Sequence, residues 1–130
     1  MQKITVFLID DDLDDQEIFS FILSEAYPQA QCVFADDGLY ALEKIQDVSF
    51  CPHVIFIDMN MPRLNGLEIL KELKKLERFA NTPIYMYSTC DENTVVEESK
   101  KLGASGFIKK HIDTDLAKLE FQNIITKLKM

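Results

Sequence analysis

A chain of 130 residues that is 47% apolar and 28% charged has the size and balance of one globular domain, which excludes extended disorder and a fold that depends on disulfides. No apolar run approaches the roughly 18 residues of a membrane helix. With 22 Asp and Glu against 14 Lys and Arg, the net charge of −8 repels nucleic-acid phosphates and suits the holding of a cation. Cys32, Cys51 and Cys90 are odd in number and widely spaced, with no C-x-x-C pair, and read as free thiols in a reducing compartment. The N-terminus runs straight into a strand-like segment without the apolar core of a signal peptide, so a cytoplasmic location without membrane attachment is expected.

Ile4–Ile9 is a short β-branched run bounded by charge, the pattern of a strand buried on both faces. Asp10-Asp11-Asp12-Leu13-Asp14-Asp15 follows and opens a helix with Ile18, Phe21, Ile22 and Ala26 at helical spacing, ended by Pro28. Cys32–Ala35 is a second strand, Asp36-Asp37-Gly38 a turn, and Leu42 and Ile45 lie on a second helix. His53–Ile57 is a third strand, 59–66 a loop, and Ile69, Leu70, Leu73 and Leu76 face inward from a third helix. Ile84–Tyr87 is a fourth strand, and Asp91 or Asn93 caps a helix over Val95–Leu102 that Gly103 terminates. Gly106–Lys109 is a fifth strand, and Ala117, Phe121, Ile124, Ile125 and Leu128 stripe a last helix.

Five strands alternating with five helices predict an α/β fold, a doubly wound parallel sheet of flavodoxin-like order 2-1-3-4-5, in a single domain over 1–130. Such folds place their sites beyond the carboxyl ends of the strands, beside the switch point. Asp10 and Asp11 lie just after strand one and Asp58 ends strand three, so three carboxylates converge there. Oxygen-ligated Mg²⁺ suits that arrangement. Ser88 and Lys110 end strands four and five, adding a hydroxyl and an ammonium to the same rim. This set can hold a cation together with a phosphoryl group, with an aspartate as the nucleophile. Asp12, Asp14 and Asp15 read instead as solvated charges or caps at the start of the first helix. His53 lies at the opposite end of the sheet and reads as structural, and His111 as an exposed loop residue.

The chain resembles the receiver domains of two-component response regulators. The resemblance rests on Phe7-Leu8-Ile9-Asp10-Asp11-Asp12, on Ile57-Asp58-Met59-Asn60-Met61-Pro62, on Gly66, on Ser88-Thr89, and on Gly103-Ala104-Ser105-Gly106-Phe107-Ile108-Lys109-Lys110. It implies Asp58 as phospho-acceptor, with Mg²⁺ held by Asp10, Asp11, Asp58 and the backbone carbonyl of Asn60. Ser88 and Lys110 would bind phosphoryl oxygens, and Phe107 would be the switch aromatic. Strand alternation favours Lys110 over Lys109, and the end of the apolar run favours Asp10 and Asp11 over Asp12.

One departure is His111, which stands where most of the family has proline after a cis peptide bond. A cis bond before a non-proline residue costs about 3 kcal/mol, so a trans or strained bond is expected here.

The implied donor is a phosphohistidine of a sensor histidine kinase or histidine phosphotransfer protein. Ile18 and Ile22 offer either a docking ridge or core. The implied output is phosphorylation-dependent binding of an effector protein by a monomer or weak dimer, without direct nucleic-acid contact and with no output domain after helix five. An exposed Tyr87, Cys90, Val95 and Phe107 face is a candidate effector or dimer surface. A phosphatase of the haloacid-dehalogenase type would need a threonine that Asp10–Asp14 lacks. A flavin site would be repelled by the acidic first loop. A binding module that no longer uses phosphorylation would have dispensed with Asp58 or Lys110.

Overall fold

The computed structural model describes residues 3–59, 61, 64–89, 93–110 and 113–128. The elements run β1 (Ile4–Ile9), α1 (Leu13–Ala26), β2 (Ala30–Ala35), α2 (Gly38–Ile45), β3 (Val54–Asp58), α3 (Gly66–Lys74), β4 (Ile84–Ser88), α4 (Asn93–Lys101), β5 (Gly106–Lys109) and α5 (Thr114–Leu128). All strand pairs are parallel and the order is β2-β1-β3-β4-β5, the topology expected from the alternation of elements.

Strand alternation divides the core in two. Val6, Leu8, Val54 and Phe56 face one side, where they pack with Phe19, Ile22 and Leu23 of α1 and Phe121, Ile124 and Ile125 of α5. Phe7, Ile9, Ile55 and Ile57 face the other side, against Ala41 and Ile45 of α2 and Ile69, Leu70 and Leu73 of α3. Each such side chain taken from water contributes about 2 kcal/mol, so the sheet and its strand ends are held firmly from both faces.

Local chemistry sets the helix starts. Asp12 caps α1, its Oδ1 accepting from the N–H groups of Asp14 and Asp15 at 2.9 and 3.1 Å. Asn65 and Glu68 form a reciprocal capping box at the start of α3, with bonds of 3.0 and 3.2 Å. Gly103, at φ +105°, closes the turn after α4 in a left-handed conformation that suits glycine. Beyond the other end of α2, the Arg78 guanidinium donates to the carbonyls of Ile45, Phe50 and Asp47 and lies 4.3 Å from the Phe79 ring centroid.

Some boundaries differ from the sequence expectation. β2 begins at Ala30 rather than Cys32, because Ala30 and Gln31 pair with Ile4 and Thr5 despite weak strand propensity. Leu76 lies beyond α3, at the entry to a 3₁₀ turn over Glu77–Phe79, though it still packs on the core. Asn93 is the first residue of α4, and Asp91 lies outside the described residues. Among the described residues no helix is long and apolar enough to cross a membrane.

His53 is structural, as expected. Its Nδ1 accepts from the Thr5 N–H at 3.0 Å and its own N–H donates to the Thr5 carbonyl at 2.8 Å, which extends the β1–β3 pairing. Cys32 and Cys51 are free thiols, and burial pushes Cys32 up to about 12.

The proposed face of Tyr87, Cys90, Val95 and Phe107 does not form as one surface. Tyr87 is buried on the α1/α5 side, whereas Phe107 and Val95 pack on the opposite side. The reason is strand alternation, since Tyr87 pairs with Ile108 and Met86 with Phe107. Cys90 lies outside the described residues.

Candidate functional site

The carboxyl ends of β1, β3, β4 and β5 form one rim. Asp10 follows β1 directly and is fully buried. Its Oδ1 accepts from the Asp12 N–H at 3.0 Å, and its carbonyl accepts from the Gln16 Nε2 at 2.8 Å. Asp58 is the last residue of β3 and is buried, while Asp11 is exposed. One carboxylate oxygen from each of Asp10, Asp11 and Asp58 lies within 4.8 Å of the others. Asp12 does not join them, because its side chain is spent on the helix cap.

Lys110 provides the positive charge. Its Nζ lies 2.9 Å from Asp10 Oδ2, 2.8 Å from Asp15 Oδ2 and 3.6 Å from Asp58 Oδ1. It also lies 5.1 Å from the centroid of the Tyr87 ring. That ring is set by edge contacts with Phe19 at 5.4 Å and Phe56 at 6.3 Å. Burial works against the Lys110 ammonium, but hydrogen bonds to Asp15 and Asp10 outweigh it and hold the lysine above its ordinary value. Lys109 is exposed, and strand alternation sets it on the face opposite Lys110.

Burial raises Asp10 above the usual carboxylate range, against the opposing pull of the Asp12 N–H and of Lys110. A raised folded-state value means that stability is greatest below the unfolded value and is lost as pH rises through the folded one. Asp10→Asn is therefore expected to raise the melting temperature of the metal-free domain by a few degrees at pH 7. The gain should shrink as pH falls through the Asp10 titration, which thermal melts between pH 3 and 7 would follow.

The donor set fits Mg²⁺. The three grouped carboxylates are hard oxygen ligands, and one of them is a fully buried acid whose charge burial disfavours. Asn60, expected to add its carbonyl, and His111, with the Lys110–His111 bond, lie outside the described residues. Ser88 is fully buried at the end of β4, and Phe107 is half-buried against the α2/α3 side of the core.

Three of the acids read from the sequence and the lysine thus meet at one crevice. Residues 6–120 match the response regulator receiver domain family. The chain belongs to that family. This receiver is 36% identical over 108 residues to a protein-glutamate methylesterase/protein-glutamine glutaminase of Methanospirillum hungatei, covering 82% of the chain and 31% of that protein. It is 30% identical over 105 residues to sporulation initiation phosphotransferase F of Bacillus subtilis, covering 79% of the chain and 82% of that protein. A high-resolution structure of chemotaxis protein CheY4 of Vibrio cholerae superposes with a TM-score of 0.82 at 28% identity, covering 95% of the receiver and 99% of that chain. The receiver spans about a third to a half of the length of several curated relatives, such as 46% of the transcriptional regulatory protein DegU of Brevibacillus brevis, to which it is 32% identical over 87% of its own length. Receivers are signalling domains that accept a phosphoryl group on an aspartate, generally bind Mg²⁺ in an acidic pocket, and interact with histidine kinases and effectors.

Sequence reasoning missed Asp15, which it placed among solvated charges and which is a direct partner of Lys110. The signal was available in the cap. With Asp12 as N-cap, Asp15 falls one turn along on the same face, and helix side chains lean toward the N-terminus and so back over the rim. Gln16, which holds the Asp10 carbonyl, was missed as well. Of the two isoleucines offered for docking, Ile22 is core at 2% exposure, whereas Ile18 is 48% exposed.

Proposed function

We propose that Asp58 is the phospho-acceptor and that the domain takes its phosphoryl group from a phosphohistidine of a sensor histidine kinase or histidine phosphotransfer protein. The observation that carries this reading is the buried Asp58 carboxylate at the end of β3, grouped with Asp10 and Asp11 and 3.6 Å from Lys110. A carboxylate oxygen of Asp58 attacks phosphorus, the N–P bond breaks, and its electron pair stays on the imidazole nitrogen. Lys110 meets the charge that builds on the phosphoryl oxygens, and Ser88 donates its hydroxyl to another of them. Asp10, Asp11, Asp58 and the Asn60 carbonyl would hold Mg²⁺, which supplies charge neutralisation for the transferring group.

Output follows from a two-state shift. Ser88 moving toward the phosphoryl group would draw Phe107 with it and change the α4–β5–α5 face presented to an effector protein. Leu13, Ile18 and Phe21 are exposed on α1 beside the rim and supply the apolar ground for a donor protein. The name of the Bacillus subtilis relative, a phosphotransferase matched over most of its length, supports relay by protein contact. We read the receiver as cytoplasmic, a monomer or weak dimer, and without direct nucleic-acid contact.

Intact-mass measurement with Mg²⁺ and acetyl phosphate tests this reading. One phosphoryl adduct is expected on the parent and none on a folded Asp58→Ala variant. An equal adduct on that variant would refute the assignment.

A further inference from the structure

We propose that Asp15 is a positioning residue that holds Lys110 back from Asp58 and must yield it when a phosphoryl group arrives. This inference rests on the reading of Asp58 as phospho-acceptor. An ammonium offers three donors. Lys110 donates a hydrogen bond to Asp15 at 2.8 Å and forms an ion pair with Asp10 Oδ2 at 2.9 Å, while Asp58 stands at 3.6 Å, beyond good hydrogen-bond length.

The three partners differ in what losing the lysine costs them. The Asp10 side chain is 0% exposed and that of Asp58 is 8%, so neither gains much water in exchange. The Asp15 side chain is 34% exposed, and water can replace the ammonium there. The Asp15 contact is therefore the exchangeable one, with Lys110 pivoting on Asp10.

Asp15 is also well placed to compete. Its N–H is tied to the Asp12 cap at 3.1 Å, and the first turn of α1 favours its negative charge. The carboxylate thus stands on a rigid helix end rather than on a loop. It sets a threshold, because a phosphoryl group must outbid it for Lys110. The residue would tune how readily the domain is phosphorylated and how long it stays so.

Beryllofluoride, a phosphoryl mimic, can be titrated with Mg²⁺ present and followed by its bound ¹⁹F signal in the parent, Asp15→Asn and Asp15→Ser. Both variants are expected to bind about 2- to 5-fold more tightly, the scale of a partly exposed ion pair. The gain should vanish when Asp15→Asn is combined with Lys110→Met, which a general change in folding would not produce. Equal or weaker binding by two folded variants, or a gain that persists without Lys110, would overturn the proposal. Should no protein bind the mimic, the phospho-acceptor reading itself fails. The Lys110 side-chain ¹⁵N resonance of the ligand-free proteins then decides the Asp15 hold alone. A changed proton-exchange rate in Asp15→Asn supports it, and an unchanged one overturns it.

Discussion

Replacing Lys110 with methionine is expected to slow phosphoryl uptake from a small donor by about 100-fold, the scale seen when a preorganised charge stabiliser is removed. Methionine keeps much of the volume above the Tyr87 ring but removes the cation that Asp10, Asp15 and Asp58 share. The same change should cost about 2 kcal/mol of stability without Mg²⁺, less than the ~3–5 kcal/mol of a fully buried pair. Two facts hold the cost down, since Asp15 can be solvated and Asp10 can take up a proton. Without its lysine, Asp10 rises further in pKa, so the stability deficit should be smallest in acid and grow as pH rises through that titration. Urea melts across pH, together with uptake followed by mass, would check both parts. Unchanged uptake would remove Lys110 from the phosphoryl site.

Gly66→Ala is expected to cost about 3 kcal/mol, the upper end for overpacking, and to lower the melting temperature by about 10 °C. The effect concerns space rather than backbone freedom. A Cβ at Gly66 would press into the backbone oxygen of Asp58 and lie 3.0 Å from both the Met59 Cα and the Met86 Cε. The methionine end can turn aside, but the strand backbone cannot, because Asp58 pairs with Tyr87 and the Gly66 N–H donates to the Met59 carbonyl at 3.1 Å. The added methyl group therefore pushes on the residue that carries Asp58, and phosphoryl uptake should fall with stability. A thermal melt shows the first effect, and uptake at a temperature where the variant is folded shows the second. A variant as stable as the parent would mean that the loop after β3 yields easily.

How far the sequence went depended on which interactions decide each feature. Strand order and the meeting of Asp10, Asp11 and Asp58 were legible, because parallel strands with right-handed crossovers bring their carboxyl ends to one rim. The preference for Lys110 over Lys109 was legible for the same reason, from the period of two. That period, applied to Tyr87 and Phe107, also separates them onto opposite faces, and the shared surface expected for them overlooked it. Asp15 was harder. Its role depends on the angle at which α1 leaves Asp12 and on the reach of Lys110 from another strand, neither of which a local pattern encodes. The early start of β2 is a tertiary effect, as β1 recruits Ala30 and Gln31 through backbone hydrogen bonds that their side chains do not announce.

The receiver is expected to carry its phosphorus bonded to the Asp58 carboxylate. Borohydride reduces an acyl phosphate to an alcohol and so would convert a phosphorylated aspartate to homoserine, a change that peptide mass mapping can locate. After treatment with Mg²⁺ and acetyl phosphate, homoserine is expected at position 58 and at no other aspartate. Homoserine at Asp10, Asp11 or Asp15, with position 58 unchanged, would mean that Asp58 is not the phospho-acceptor.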